Sequence, residues 1–334
     1  MTGGVESTAI TGNTLLAFNR RMQVLWSYEF QNALRKFSPE ELTWRLGVID
    51  LEGNGESGVL FAARFQNTAI AEALFYFSSR GTMLWQLDVE PPLRNRDNRP
   101  FERAWAIKHL IDTPSRKLGR SIWVALGNDA GWAGCVLRID AQGHANIHFA
   151  NAGYVEHLCA VTTKDGNWLI ICGENNDFDD AFVALIGMES PSGCSVPGER
   201  LVYRYSNAPP GSPLKYLLFP NTELAKAGLK PYGHARVISE HLDGIIVDVE
   251  TGGDGASFRY HFSKDLEPSY VFPSGSHEFV HKQLEGAGTI HHTWPDCPEL
   301  QSPLILRVWE PDSGWYERPI EWRDNPWKEI EKPN

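Results

Sequence analysis

The chain has 334 residues, of which 42% are hydrophobic and 22% charged, enough apolar material for one large β domain or two ordinary ones. Its net charge of −11 repels phosphate backbones, so nucleic acid is not an expected partner. No run approaches the roughly 18 apolar residues that span a bilayer, and the first residues, MTGGVESTAITGN, lack a charged-then-apolar leader; the expectation is a cytoplasmic chain with no membrane partner, or a secreted one if a leader precedes it.

Residues 1–13 are polar and expected to be disordered or extended. Residues 15–26, LLAFNRRMQVLW, then read as a β-hairpin, and residues 74–85, LFYFSSRGTMLW, repeat it, with Phe18 and Trp26 matching Phe77 and Trp85. Between them Ser38-Pro39-Glu40-Glu41 is a capping box that predicts a short helix over 39–44, and NALRKF before it reads as a further turn. Two later segments carry the same hairpin. VLRIDAQGHANI places Ile139, Gly143 and Ile147 on Phe77, Gly81 and Trp85, and YHFSKDLEPSYVF places Phe262 and Tyr270 on Phe77 and Trp85. A weaker hairpin starts at Ala181, and a last strand pair lies at 304–309 and 314–322.

Pairs of apolar runs precede each hairpin after the first: RLGVID and GVLFAARF, RAWAIKHLI and SIWVALG, HLCAV and WLIICG, KYLLF and ARVISEHLDGIIVDVE. Each unit is thus four strands, which is one blade of a β-propeller. The expected fold is all-β: one propeller over 14–322 with five four-stranded blades, followed by a polar tail at 323–334. In this scheme the N-terminal hairpin and the C-terminal strands close one blade, removing both edges. A sixth blade arises if the segment from 277 forms its own. Trp26, Trp85 and Tyr270 share a repeat position and are expected to pack between blades.

Residues 48–60, VIDLEGNGESGVL, run from a strand ending in Asp through a Gly-rich acidic turn into the next strand. Together with the FSSRGTMLW hairpin this resembles the repeat of FG-GAP/VCBS-type β-propellers. Their turn has acids at alternate positions among glycines and a closing acid at the start of the next strand. Asp50, Glu52 and Asn54 match the first three ligand positions, while Gly58 stands where the family has the closing acid. TTKDGNWLIICG keeps only Asp165-Gly166 of the pattern. The stretches NAGYVEHL, GENNDFDDAFVAL, SPSGCSVPG and LLFPNTEL look like uncharacterised bacterial propellers of this type, which are often attached to regulatory or signalling modules. The resemblance implies a propeller and a Ca²⁺ site at Asp50, Glu52 and Asn54; read from the residues alone, the same turn is a good Asp/Asn/Gly hairpin turn. No other cofactor is expected.

The richest polar cluster is Glu174-Asn175-Asn176-Asp177 with Asp179-Asp180, in a loop between two apolar strands. It reads as a site for a cation or a sugar, or as a solvated acidic turn. Trp132, in the loop GNDAGWAG, is not fixed by the repeat and is the best candidate for an exposed aromatic. HHTWPDC brings His291, His292, Asp296 and Cys297 close in sequence, with His277 and His281 upstream, but lacks HxH or CxxC spacing, and adjacent strand histidines point to opposite faces. Cys135, Cys159, Cys172, Cys194 and Cys297 are odd in number and widely spaced, so buried free thiols are expected, with a Cys159–Cys172 bridge as the alternative. No GxSxG, P-loop or dinucleotide fingerprint occurs, and no HExxH zinc site is expected. The expected function is a non-catalytic propeller scaffold binding a protein or carbohydrate; the alternatives are a glycan-cleaving propeller enzyme and the sensor part of a larger regulatory protein.

Overall fold

The computed structural model describes residues 4–66, 72–102, 105–115, 119–200, 204–227, 234–240, 244–250 and 256–324. The protein is all-β, its described strands lie in five antiparallel sheets, and it falls into two compact units, 1–150 with 205–209 and 151–204 with 210–334. No described helix is long and apolar enough to cross a membrane.

In the first unit the strands run up and down in chain order. The first sheet is β1 (Ser7–Thr11), β2 (Thr14–Phe18) and β3 (Val24–Glu29). The second is β4 (Leu46–Ile49), β5 (Gly58–Arg64), β6 (Glu72–Phe77) and β7 (Met83–Asp88). The third is β8 (Trp105–Ser115), β9 (Gly119–Asn128), β10 (Ala133–Ile139) and β11 (Ala145–Asn151). Part of the N-terminal segment is therefore a strand, with Thr11 opposite Thr14. Leu15, Ala17 and Phe30 of the first sheet region pack on Phe61, Phe75 and Phe77 of the second. Between these sheets the expected helix forms as α1 (Pro39–Arg45), and both halves of its capping box are made, Ser38 Oγ to the Glu41 amide and Glu41 to the Ser38 amide. NALRKF is not a helical turn: Leu34 bridges Phe65 instead.

The matched hairpins are built alike. The residue after Phe18, Phe77, Ile139 and Phe262 carries a side-chain oxygen that accepts two amides, from two and four residues on. Asn19 takes Arg21 and Gln23 at 2.9 and 3.1 Å, and Asp140 takes Gln142 and His144, both at 2.9 Å. Ser78 takes Arg80 and Thr82, and Ser263 takes Asp265 and Glu267, each pair at 3.3 and 3.1 Å. The fourth residue of each turn is left-handed: Met22, Gly81, Gly143 and Leu266 at φ 58°, 82°, 85° and 56°.

The sheets of the first unit interlock through this turn. The Trp26 indole donates from Nε1 to the Ser79 carbonyl (3.2 Å), and Trp85 donates to Ala141 (3.1 Å). Two residues further on, a Cβ placed on Gly81 would meet Trp26 at 2.7 Å, and one on Gly143 would meet Trp85 at 2.8 Å. Glycine thus serves two needs, the positive φ and the space for an indole. Both indoles are half-buried rather than enclosed. Tyr270 does not share this contact: it stacks on His261 (4.7 Å) and lies under the Arg323 guanidinium (4.6 Å).

One buried ion pair joins α1 to two sheets. Arg45 bonds both carboxylate oxygens of Glu72 (3.2 and 3.4 Å) and the carbonyls of Ala62 and Ile107, while Glu72 accepts the Ile107 amide at 2.8 Å. Burial raises the Glu72 pKa despite the opposing Arg45 charge. Removing either partner strands a buried charge.

The second unit departs from the expected blade pattern. Its large sheet contains β12 (Val155–Thr163), β13 (Gly166–Asn175), β14 (Asp180–Gly187), β15 (Lys215–Leu218), β20 (Leu304–Glu310) and β21 (Gly314–Ile320), in that order. The other sheet is β16 (His234–Glu240), β17 (Ile245–Glu250), β18 (Ser257–Phe262) and β19 (Pro268–Pro273). KYLLF therefore completes the fourth sheet, not the fifth, because β14 pairs with it across a long connection (Ala184 opposite Tyr216). The C-terminal strands do not close a blade with the N-terminal hairpin: β20 pairs with β15, Leu217 opposite Val308, and β2 pairs with β1 and β3. A sixth blade from 277 is also overturned, since α3 (Gly275–Gly286) occupies that segment, after a shorter α2 (Glu223–Ala227). The two sheets share one core, with Ile170, Val183 and Leu306 from the first against Val247, Tyr260 and Phe262 from the second. All five cysteines are free, so the Cys159–Cys172 bridge is not made; Cys159 stands opposite Ile170.

Gly143→Ala and Gly53→Ala separate the two demands on glycine. Both positions have positive φ, but only Gly143 faces an indole. Gly53→Ala is expected to cost about 1–2 kcal/mol, the ordinary left-handed penalty, and Gly143→Ala at least ~1 kcal/mol more from overpacking. Urea unfolding of both variants checks this, and equal losses refute the indole contact.

Candidate functional site

The acidic loop is largely interior, which its sequence did not show. β13 carries Glu174 and Asn175 into the fold, and Asn175, Asn176 and Asp177 are buried. Asn175 donates from Nδ2 to Tyr216 Oη (2.7 Å) and accepts the Asp177 amide (2.9 Å). Tyr216 donates to Asn151 Oδ1 (3.0 Å), whose Nδ2 reaches the carbonyls of Gly153 and Glu174. The Tyr216 ring is stacked on Phe182 at 5.1 Å.

Asp177 holds a loop in place. Its two oxygens accept the amides of Gly198 (2.6 Å) and Arg200 (2.7 Å), and Arg204 lies 3.7 Å away. Gly198 is required there, since a Cβ would lie 2.7 Å from the Asp177 carboxyl carbon. Arg200 in turn chelates Asp179 with both terminal nitrogens and bonds the Asn176 carbonyl. Asp179 is left-handed at φ 59°. Glu174 Oε2 stands 3.5 Å from His234 Nδ1. Asp180 differs from the rest. Burial pushes its carboxyl up to about 6, Asp179 adds to this and Arg307 opposes it. It lines a small cleft with Phe219, Thr222 and Glu250.

The Asp50 turn uses its side chains on itself. Asp50 accepts the amides of Asn54 (3.1 Å) and Gly55 (2.8 Å), Asn54 Nδ2 donates to Glu52 (2.8 Å), and Asn54 Oδ1 accepts the Glu56 amide (2.8 Å). A Cβ on Gly58 would lie 2.4 Å from the Phe77 carbonyl, so no acid can stand at the closing position. Trp132 is 54% exposed and left-handed at φ 52°, at the tip between β9 and β10. Asn128 builds that tip, its side chain taking the Gly131 amide and its carbonyl the Trp132 amide.

A second cluster lies in the second unit, around α3. His281 Nε2 is 3.0 Å from His292 Nε2, and with Cys297 Sγ these atoms lie within 4.8 Å of one another. Among the described residues this is the one group of three His, Cys, Asp or Glu so arranged. On their far sides, His281 Nδ1 is 3.9 Å from Glu285 and His292 Nδ1 is 3.8 Å from Glu223. His291 and Asp296 are exposed and stand apart; the segment is not a strand, so the opposite-face argument does not apply to it. His277, one turn before His281, is buried and stacked on Phe258 (4.3 Å). Its ring nitrogens have no hydrogen-bond partner, and burial pushes its pKa down to about 3.

Sequence reasoning missed this cluster because it missed α3. The available signal was His277-Glu278-Phe279-Val280-His281, an H-E-x-x-H stretch. In that motif both histidines face one ion and the glutamate serves as base. Here Glu278 is exposed and bonds Lys282 (2.7 Å), and His277 is outside the cluster. Comparison with protein-family models and with curated proteins gives no match.

Asp180 sets a pH-dependent term. From its ordinary 3.8 to about 6 the folded chain keeps a proton that the unfolded chain releases, so stability falls as pH rises through that window. Asp180→Asn lacks this loss. Its melting temperature relative to the native protein is expected to climb between about pH 4 and pH 7 and then level off; a difference constant with pH refutes the raised carboxyl.

Proposed function

We propose that the chain is a non-catalytic scaffold of the β-propeller kind that binds a protein or carbohydrate through its loops, with Trp132 as the contact residue. The indole-on-glycine contact supports the propeller reading, since it occurs twice in the first unit, from the first sheet to the second and from the second to the third. The observation that carries the binding reading is Trp132 itself. A large side chain at positive φ costs about 1–2 kcal/mol where glycine costs nothing, and here it leaves the indole largely in solvent. Flat aromatic faces at rigid loop tips are what sugar rings and protein hot spots use.

Trp132→Gly is expected to abolish binding to any ligand found by screening a glycan panel or a defined set of purified proteins, while the far-UV spectrum and cooperative melting stay native-like. A Trp132→Gly variant that melts well below the native protein shows instead that the indole serves the fold. A second reading, glycan cleavage, rests on Asp180, whose carboxyl burial pushes up to about 6 and which lines one small cleft with Glu250. Such chemistry needs one protonated and one ionised carboxyl, and it requires that Asp180→Asn lose hydrolysis while keeping binding.

A further inference from the structure

We propose that His281, His292 and Cys297 form a zinc site that staples α3 to the 291–300 segment. The donor set fits the ion. Two imidazole nitrogens and one thiolate sulfur are borderline-soft ligands, suited to Zn²⁺ and unsuited to Ca²⁺ or Mg²⁺. The geometry is close to that required. Tetrahedral zinc with ordinary bond lengths spaces its ligand atoms ~3.3–3.6 Å apart, against 3.0 Å for the two nitrogens and at most 4.8 Å within the group. A side-chain adjustment of about 1 Å closes the difference. Three protein ligands leave the fourth position to water.

Two further features point the same way. Both histidines turn Nδ1 towards a carboxylate, His281 to Glu285 at 3.9 Å and His292 to Glu223 at 3.8 Å. Neither distance is a hydrogen bond, and His281 Nδ1 is buried without a hydrogen-bond partner; a shift of about 1 Å would make the outer bond that fixes a ligating imidazole. The local core is also small: Leu224, Val280, Ile290 and Ala256 are its buried members, with Ala227 and Leu284 packed against them. Among the described residues this cluster has four buried apolar side chains, with His277 packed on Phe258 beside it, and small cores are commonly stapled by a metal. Cys297 sits at the start of a 3₁₀ turn, Pro298–Leu300, and is 2% exposed. Metal binding there releases the thiol proton, forming the Zn–S bond with the electron pair left behind.

The test is zinc and Co²⁺ loading of the full chain, with metal content after desalting, chelator competition and absorption spectra. About one zinc per chain is expected, with a thiolate-to-cobalt charge-transfer band that Cys297→Ser removes. His292→Ala and Cys297→Ser should weaken binding at least ~10-fold, and Glu285→Gln by about 10–100-fold. His277→Phe and Cys194→Ser should bind as the native chain does. Circular dichroism checks folding, and alkylation mapping of the native chain gives a measure that needs no variant: zinc should slow modification of Cys297 but not Cys194. Failure to retain zinc overturns the proposal, as does native affinity in Cys297→Ser or equal alkylation with and without zinc. Loss in His277→Phe with retention in His292→Ala also overturns it, by assigning the ion to the H-E-x-x-H pair.

Discussion

Four hairpins in this protein turn on a single side-chain oxygen. Asn19, Ser78, Asp140 and Ser263 each accept two amides of the turn that follows, and this fixes the chain reversal in one form. Because side chains alternate along a strand, a turn of fixed length also fixes which face of the following strand is apolar. It is this that lets Trp26 and Trp85 emerge at the right place to cover a neighbouring turn. The same device appears outside the sheets, where Asn95 accepts the amides of Asp97 and Arg99, with Asn98 left-handed at φ 62°.

The rest of the architecture leans on buried polar groups that have defined partners. Arg45 and Glu72 join α1, β6 and β8, and Asn175 and Tyr216 join β13 and β15 to Asn151. Such groups add little net stability, since their desolvation offsets most of the attraction. Their effect is on uniqueness: a slipped strand leaves a donor or acceptor buried and unmet, at a cost of about 1–3 kcal/mol.

Much of this was legible in the sequence, and what was not has physical causes. The hairpin alignment over Phe18, Phe77, Ile139 and Phe262 is present in the structure because a turn that uses one polar residue and one left-handed residue leaves a local signature. The capping box of α1 is equally local. Strand partners are not. Nothing in LILRVW distinguishes pairing with β15 from pairing with the N-terminal hairpin, since both offer an apolar edge. The acidic loop misled for a related reason: Asp177 reads as a solvent-facing charge unless the amides of Gly198 and Arg200 are known to lie against it. In the His and Cys cluster, a spacing search confined to HHTWPDC could not find His281, because its partner lies across a turn of chain from α3.

The order of strands in the large sheet bears on how the chain is made. β12 to β14 are contiguous in sequence, but β15 is added from residue 215 and β20 from residue 304. All four residues of β15 are buried in the finished sheet. On a ribosome the hairpins of the first unit can pair as soon as they emerge, whereas β15 waits with an apolar edge open until the last strands are synthesised. Open apolar edges are where nascent chains associate wrongly. The C-terminal hairpin, β20 and β21, is therefore also the cover that ends this exposure, and its outer strand, with exposed Glu317 and Arg318, presents a charged edge in place of an apolar one.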